Sequence, residues 1–380
     1  MKILLAGDYP NDPKLGSSKV PLKLAAEFAR LGHSCRVVFA DEIGAPKLGM
    51  RLRWLLGPWL ALRAVRRIIA AEGPFDVIDI ASAEGFSLGI WRLFGGFKGV
   101  GIVSRSHGLE QLNYARMIGD HKAGLLDKPW YKRWWYPLTR CTQVAGAGLL
   151  AHRMIVINEN DRRYVIRHLW KRSKKVVVIP HGVSEEFLKS APPDAAPRGK
   201  GLLYCGTWTG MKGVDYLKNA YNRLVSDGSK VPFTILGGGI SDVEIREGFT
   251  SEANKLITII PRLDEARLME QYRQHDILVF PSTYEGFGMV LLEAMSQGLA
   301  VIATPQGAAL SLIRDEVTGI EVPIRNPVAI TAAVRRLWED VEHRRKLGSA
   351  ARAAVAGYTW EATALKTLAL YEAAVDAARS

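Results

Sequence analysis

Short β-branched runs alternate with helix-spaced segments from the first residue of this chain, and the alternation happens twice. MKILLAG, CRVVFAD, FDVIDIAS, VGIVSRSHG, RMIVINEN and KVVVIPHG read as strands, several of them separated by segments such as VPLKLAAEFARLGH and ENDRRYVIRHLW with helical apolar spacing. Alternation of this kind requires parallel sheets with crossover helices. Over residues 184–200 it breaks into SEEFLKSAPPDAAPRGK, a proline- and alanine-rich linker. It restarts with GLLYCGT, VPFTILGGG, KLITIIPR, DILVFPS, LAVIATP and GIEVPI, and from Asn326 to Ser380 the pattern is almost continuously helical. The sequence thus predicts an α/β chain with doubly wound domains over 1–183 and 201–355 facing each other across a cleft. A C-terminal helix over 356–380 would be able to pack back on the first domain. In such sheets ligands bind beyond the carboxyl ends of the strands.

The chain has 380 residues, 48% of them hydrophobic, which suits a folded protein of two domains and excludes disordered and fibrous classes. Asp8 interrupts the first apolar run before a secretory core is complete, and no stretch reaches the roughly 18–20 uncharged apolar residues of a spanning helix. A cytoplasmic protein is expected, with peripheral attachment to the inner face of the membrane as its one extension. Cys35, Cys141 and Cys205 are far apart and outside C-x-x-C spacing, so they read as small buried hydrophobes and not as a disulfide framework or zinc site.

A net charge of +13 points to an anionic partner. Residues 50–70 hold five arginines and no acid, and residues 127–140 set five aromatics among basic residues. Two readings stand for these stretches: helices with a solvated basic edge, or a surface that meets an anionic membrane with its aromatics at headgroup level. Nucleic acid is not expected as a partner, because no recognised nucleic-acid module occurs.

The segment TYEGFGMVLLEAMSQGLAVIATPQG, residues 283–307, carries Glu285 in a strand-to-helix turn and Glu293 about two turns into the following helix. Eight residues of helix span roughly 12 Å, beyond the ~5–9.5 Å of a glycosidase carboxylate pair. Between the two acids lies a helix start, whose free N–H groups bind anions, and Gly286 and Gly288 let backbone come close to a ligand. This order suits a ligand built as sugar, diphosphate and ribose. On spacing alone, a surface ion pair for Glu293 and a capping role for Glu285 serve as well.

With its flanks the segment becomes specific. EGFGMVLLEAMSQGLAVIATPQGA resembles the E-x7-E segment of the retaining glycosyltransferases of family 4. The likeness extends through VINENDRRYVI, IPHGVSEEF, GTWTGMKGVDYL, VPFTILGGG and PRLDEARLMEQYRQHDILVFPSTYEGFG. The resemblance implies the GT-B fold, two Rossmann-like domains about a cleft, and a nucleotide-diphosphate sugar, with a uridine or guanosine base, as donor. Carried over position by position, it implies that Glu293 holds the ribose and Glu285 the hydroxyls of the donor sugar. Phe287, Gly288 and Met289 would present N–H groups to the sugar or diphosphate, with Gly286 in the same turn. Lys212 would neutralise the diphosphate, with Gly206 in the preceding loop, and Arg262 would line the base. Gly16, in KLGSSK, stands where the family has a glycine-rich loop, and His107 matches a histidine facing the donor sugar. The chain departs from the pattern after Gly206, where Thr207 and Trp208 replace the usual arginine.

The expected reaction moves a hexosyl group to an acceptor hydroxyl with retention, Glu285, His107 and Lys212 acting at the reacting centre. No D-x-D motif occurs, so no metal or other cofactor is expected; Lys212 and the helix start would stabilise the leaving group. The acceptor would be a glycan or a lipid-linked glycan, in cell-surface polysaccharide or glycolipid assembly. A sugar-nucleotide epimerase of the same fold and a basic, non-catalytic membrane- or nucleic-acid-binding protein are the alternatives. A nicotinamide enzyme is disfavoured, since AGDYPNDPKLG after the first strand lacks G-x-G-x-x-G.

Overall fold

The computed structural model describes residues 1–12, 15–44, 49–124, 130–189 and 199–380. The chain divides into two compact units, one made of Met1–His181 with Trp360–Ser380 and the other of Gly182–Thr359.

The first unit is built on a parallel sheet of β1 (Lys2–Ala6), β2 (Ser34–Val38), β3 (Val77–Ala81), β4 (Gly101–Arg105), β5 (Arg153–Val156) and β6 (Val176–Val178), in the order β2-β1-β3-β4-β5-β6. Its central strands β1, β3 and β4 are mostly apolar and buried because both faces are covered, with Asp79 and Arg105 as buried exceptions. On one face Leu4, Ala6, Ile78 and Ile80 pack under the helices Met50–Glu72 and Gly85–Leu93, with Ala61, Val65 and Leu88 buried against them. Successive side chains of a strand point to opposite faces, so Asp79 lies on the other one. There it meets Tyr371 from the helix Trp360–Arg379, which lies directly on β4: a Cβ on Gly101 would stand 2.9 Å from the Val375 nitrogen.

The second unit repeats the plan with β7 (Leu202–Cys205), β8 (Phe233–Leu236), β9 (Ile257–Ile260), β10 (Ile277–Phe280), β11 (Ala300–Ala303) and β12 (Ile320–Glu321), all parallel, in the order β12-β11-β10-β7-β8-β9. Strand order reverses between β7 and β10, so the loops after these two strands diverge and open a crevice at the carboxyl edge. The helical tail is three helices, Pro327–Glu339, Val341–Val355 and Trp360–Arg379.

Within the expected linker, Glu185–Lys189 is a short helix whose Phe187 is fully buried, while residues 190–198 lie outside the described residues. The cysteines correct an expectation: all three are half-buried thiols, because Cys35 sits on edge strand β2, Cys141 on a surface helical turn and Cys205 at the end of β7. Among the described residues no helix is long and apolar enough to cross a membrane.

Candidate functional site

Two loops at the β7/β10 crevice are locked together by backbone. The Met211 carbonyl accepts from the Thr283 N–H at 2.9 Å and the Thr283 hydroxyl at 3.1 Å. Gly213 has φ +74°, and a Cβ there would lie 1.9 Å from the Pro281 oxygen, so only glycine permits this approach. The turn Gly210–Lys212 is thereby fixed opposite Glu285, and Lys212 Nζ donates to Glu285 Oε2 at 2.5 Å. The Ser282 hydroxyl lies 3.4 Å from the same oxygen, and the Glu285 side chain keeps only 10% of its exposure. Its aliphatic stem is clasped from two sides, since a Cβ on Gly288 or Gly307 would come within 3.2 or 2.9 Å of the Glu285 Cγ.

The helix after this turn is Met289–Ser296, capped by Gly288 at φ +88° and ψ +63° with no side-chain acceptor and no acid in its first turn. Its N–H groups and dipole favour an anion there. Because left-handed Gly288 delays the helix to Met289, Glu293 falls in its second turn and not two full turns in. Phe287 is buried and its carbonyl accepts from the Ala308 N–H at 2.7 Å, fixing the turn that contains Gly286.

Neither ordinary reading of the two glutamates holds. Glu285 pairs with Lys212 and does not cap the helix, and Glu293 is 4% exposed, so it is not a surface residue. The Tyr272 hydroxyl, fully buried on the helix Glu265–Gln274, donates to Glu293 Oε2 at 3.1 Å. Burial, with Cys205 and Glu293 nearby, holds the Tyr272 hydroxyl well above the usual phenol range, so it remains a donor. Tyr272 sits in DEARLMEQYRQH, read from sequence only as a helix; nothing in its spacing marks it as the partner of Glu293.

Three further loops meet at the same edge. Gly206 follows β7 with φ +142°, and its N–H bonds to the Leu236 carbonyl. A Cβ on Gly239, after β8, would lie 3.7 Å from Thr207 Cγ2 and 3.9 Å from Nη2 of Arg262, an exposed residue after β9. Trp208 turns inward, stacking edge-on against Tyr204 at 5.0 Å and lying 6.2 Å from Phe249. The position next to Thr207 is therefore spent on the core, and the exposed cation beside this loop is Arg262.

In the first unit His107 follows β4, and its Nε2 is 2.9 Å from the hydroxyl of Tyr9, which follows β1. The Tyr9 ring covers Gly7, where a Cβ would come within 2.4 Å of it. The His181 ring lies 6.0 Å from that of His107, tilted by 32°. Burial and then the Arg105 charge push the His107 pKa down to about 3, so its imidazole is neutral at ordinary pH. Gly16 opens the helix Gly16–Arg30, but a Cβ there would meet nothing within 4 Å, so the fold makes no demand for glycine at this position. Lys14 of the same motif lies outside the described residues.

Two parallel doubly wound units, the second gathering a cation, a helix start and two carboxylates at its switch point, define a chain of the GT-B class. Solved structures agree on the fold: sucrose-phosphate synthase of Thermosynechococcus elongatus superposes with a TM-score of 0.78 at 21% identity over 98% of each chain. The Anabaena protein HepE superposes at 0.69 with 16% identity over 97% of this chain and 99% of its own. Glycosyltransferase Family 4 matches residues 16–187 and Glycosyl transferases group 1 matches residues 189–354, and the chain belongs to this family. A D-inositol 3-phosphate glycosyltransferase of Kineococcus radiotolerans is 29% identical over 60% of the chain and 58% of its own length. A phosphatidyl-myo-inositol mannosyltransferase of Mycobacterium tuberculosis is 29% identical over 57% and 58%. The chain thus spans little more than half the length of the curated relatives it matches.

Proposed function

We propose that the chain is a retaining hexosyltransferase that takes its sugar from a uridine or guanosine diphosphate donor and delivers it to an acceptor hydroxyl. The observation that carries this reading is the Lys212–Glu285 pair at 2.5 Å beside the uncapped helix start at Met289. An ammonium has three donors, so Lys212 can hold a diphosphate oxygen while keeping Glu285. Glu285 then accepts from sugar hydroxyls next to the bond that breaks, and Glu293, held by Tyr272, takes the ribose hydroxyls.

When the bond from the anomeric carbon to the diphosphate oxygen breaks, its electron pair goes to the leaving group. Lys212 and the N–H groups at Phe287, Gly288 and Met289 are aimed where that charge grows, which is where electrostatic stabilisation is most effective. The acceptor hydroxyl attacks the same face, its proton passing to the departing phosphate, and configuration is retained. Neutral His107 serves as a hydrogen-bonding group to the sugar and not as a proton donor of ordinary strength. HepE has been solved with UDP and with UDP-glucose, which supports a nucleotide-sugar donor for this fold. The inositol phosphate and phosphatidylinositol named for the relatives support a polar or lipid-borne acceptor, as in cell-surface glycan or glycolipid assembly at the inner face of the membrane.

The test is thermal unfolding with UDP or GDP, without added metal, of the wild type and Glu293→Ala. Ligand at ~100 times its dissociation constant adds about 2.7 kcal/mol. Stabilisation by one of the two nucleotides that weakens in the variant is expected, and no stabilisation by either overturns the donor site.

A further inference from the structure

One helical layer of the first unit carries an unusual outer face. The helices Met50–Glu72, Gly85–Leu93 and Thr142–Leu150 lie together on the Ile78/Ile80 side of the sheet, with Gly89 packed against Leu150 and Gly146 against Phe86. The helix Trp130–Tyr136 joins the layer through Tyr136, whose ring lies 5.1 Å from that of Trp54. Pro58 has no N–H for the Trp54 carbonyl, and the Gln143 side chain donates to that oxygen at 2.8 Å, tying the helices where the proline frees it.

Large apolar side chains point outward from this layer: Leu52 (53% exposed), Leu55, Trp59, Phe94 (84%), Trp134 (67%) and Leu138 (68%). The helices Gly16–Arg30 and Trp360–Arg379 cover the other side of the sheet, and among their described residues Leu365 is the one large hydrophobic that is exposed. An apolar surface this one-sided marks an interaction site. Its charge selects the partner. Met50–Glu72 has exposed Arg63, Arg66 and Arg67 and no acid before Glu72, and Arg66 lies 4.4 Å over the ring of exposed Trp91. Basic side chains interleaved with tryptophan and leucine match a headgroup layer, where indoles sit between water and acyl chains and arginines meet anionic phosphates.

We propose that this layer is the docking face for an anionic lipid bilayer, with Leu52, Leu55, Trp59 and Trp134 entering the interface and the arginines of Met50–Glu72 on its phosphates. The proposal narrows the two stretches recognised in the sequence. Of residues 127–140, 127–129 lie outside the described residues, whereas Trp91, Leu93 and Phe94 come from a segment that composition did not single out. Docking stands on this surface and not on the donor chemistry.

Co-sedimentation of the full chain with phosphatidylcholine vesicles, with and without phosphatidylglycerol, tests it. Binding at least ~tenfold tighter to the anionic vesicles is expected, from about 1 kcal/mol for each basic residue at the surface. Leu52→Glu with Leu55→Glu should abolish sedimentation, and Arg63→Glu with Arg66→Glu should remove the preference for phosphatidylglycerol. These exposed positions leave nucleotide-induced thermal stabilisation unchanged, so the result is separable from the donor reading. Equal sedimentation of wild type and variants overturns the proposal, as does wild-type self-association that the leucine variant loses without any vesicle binding.

Discussion

Lys212 and Glu285, 73 residues apart, form an ion pair across the crevice between β7 and β10 because the Met211 carbonyl and Gly213 dock one loop on the other. In the proposed reaction the two side chains would divide one task, the cation facing the leaving group and the anion the sugar. Lys212→Ala should weaken binding of a nucleoside diphosphate far more than of the nucleoside. Glu285→Ala should leave nucleotide affinity within a few fold and lower kcat by roughly 10²–10³. Calorimetry with the two ligands and steady-state rates check both, and wild-type turnover in Glu285→Ala would remove that residue from the reacting centre.

Tyr272→Phe keeps the packing and deletes the hydroxyl that orients Glu293. A charge-assisted hydrogen bond is worth about 1.5–3 kcal/mol, so nucleotide affinity should fall by roughly tenfold or more. A 2′,3′-dideoxy nucleotide supplies the control. Its affinity should be low in the wild type and unchanged by the substitution, because the ribose contact is already absent.

At Gly213 the expected effect is on folding. Gly213→Ala places a methyl against the Pro281 oxygen at a φ of +74° and should cost about 2–3 kcal/mol by urea unfolding. Gly16→Ala, with open space around its Cβ, should be close to neutral in stability. Reduced activity in a fully stable Gly16→Ala would then locate a ligand contact there.

Neutral His107 predicts a pH profile. With a folded pKa of about 3, it contributes no limb to kcat/KM between pH 5 and 8. Burial, followed by the charge of Arg92, likewise lowers His152 to about 4. For both histidines the unfolded chain binds the extra proton as pH falls below about 6.5, so their share of stability is whole above that pH and lost toward pH 3–4. Asp161 works the other way: burial raises it to about 7, the folded state holds the extra proton below that pH, and stability rises as pH falls from 7 to about 4. Urea midpoints at pH 7.5 and 5 should therefore drop more steeply in Asp161→Asn than in the wild type, and less steeply in His152→Asn.

Both sheets could be read from the chain because nearly every strand is a short apolar run with β-branched residues set between helix-spaced segments, and parallel strands need no partner at a fixed spacing to be recognised. Glu285 and Glu293 drew notice for another reason: loop, helix start and acid follow one another within a single βα unit, whereas Lys212, in the unit that follows β7, came only from the family resemblance. What escaped lies between units of sequence. Tyr9 reaches His107 over 98 positions, Tyr272 reaches Glu293 from a neighbouring helix, and Trp208 looks like a lost binding residue until its ring is seen in the core with Tyr204. Left-handed Gly288 moved the helix start by a residue or two, which spacing alone does not resolve.

Asp79, Arg105 and Tyr371 are all but sealed from water, Arg105 donating to Asp79 Oδ2 at 2.6 and 2.9 Å while the Tyr371 hydroxyl donates to the same oxygen. Two of the three are made early on the ribosome, and the third arrives only after the whole of the second unit. Until then the pair lacks one of its hydrogen bonds, and the sheet beside β4 lacks its cover. The second unit, continuous in sequence, is free to fold while the first waits for its last helix. Synthesis therefore completes the halves of this protein in the reverse of their order.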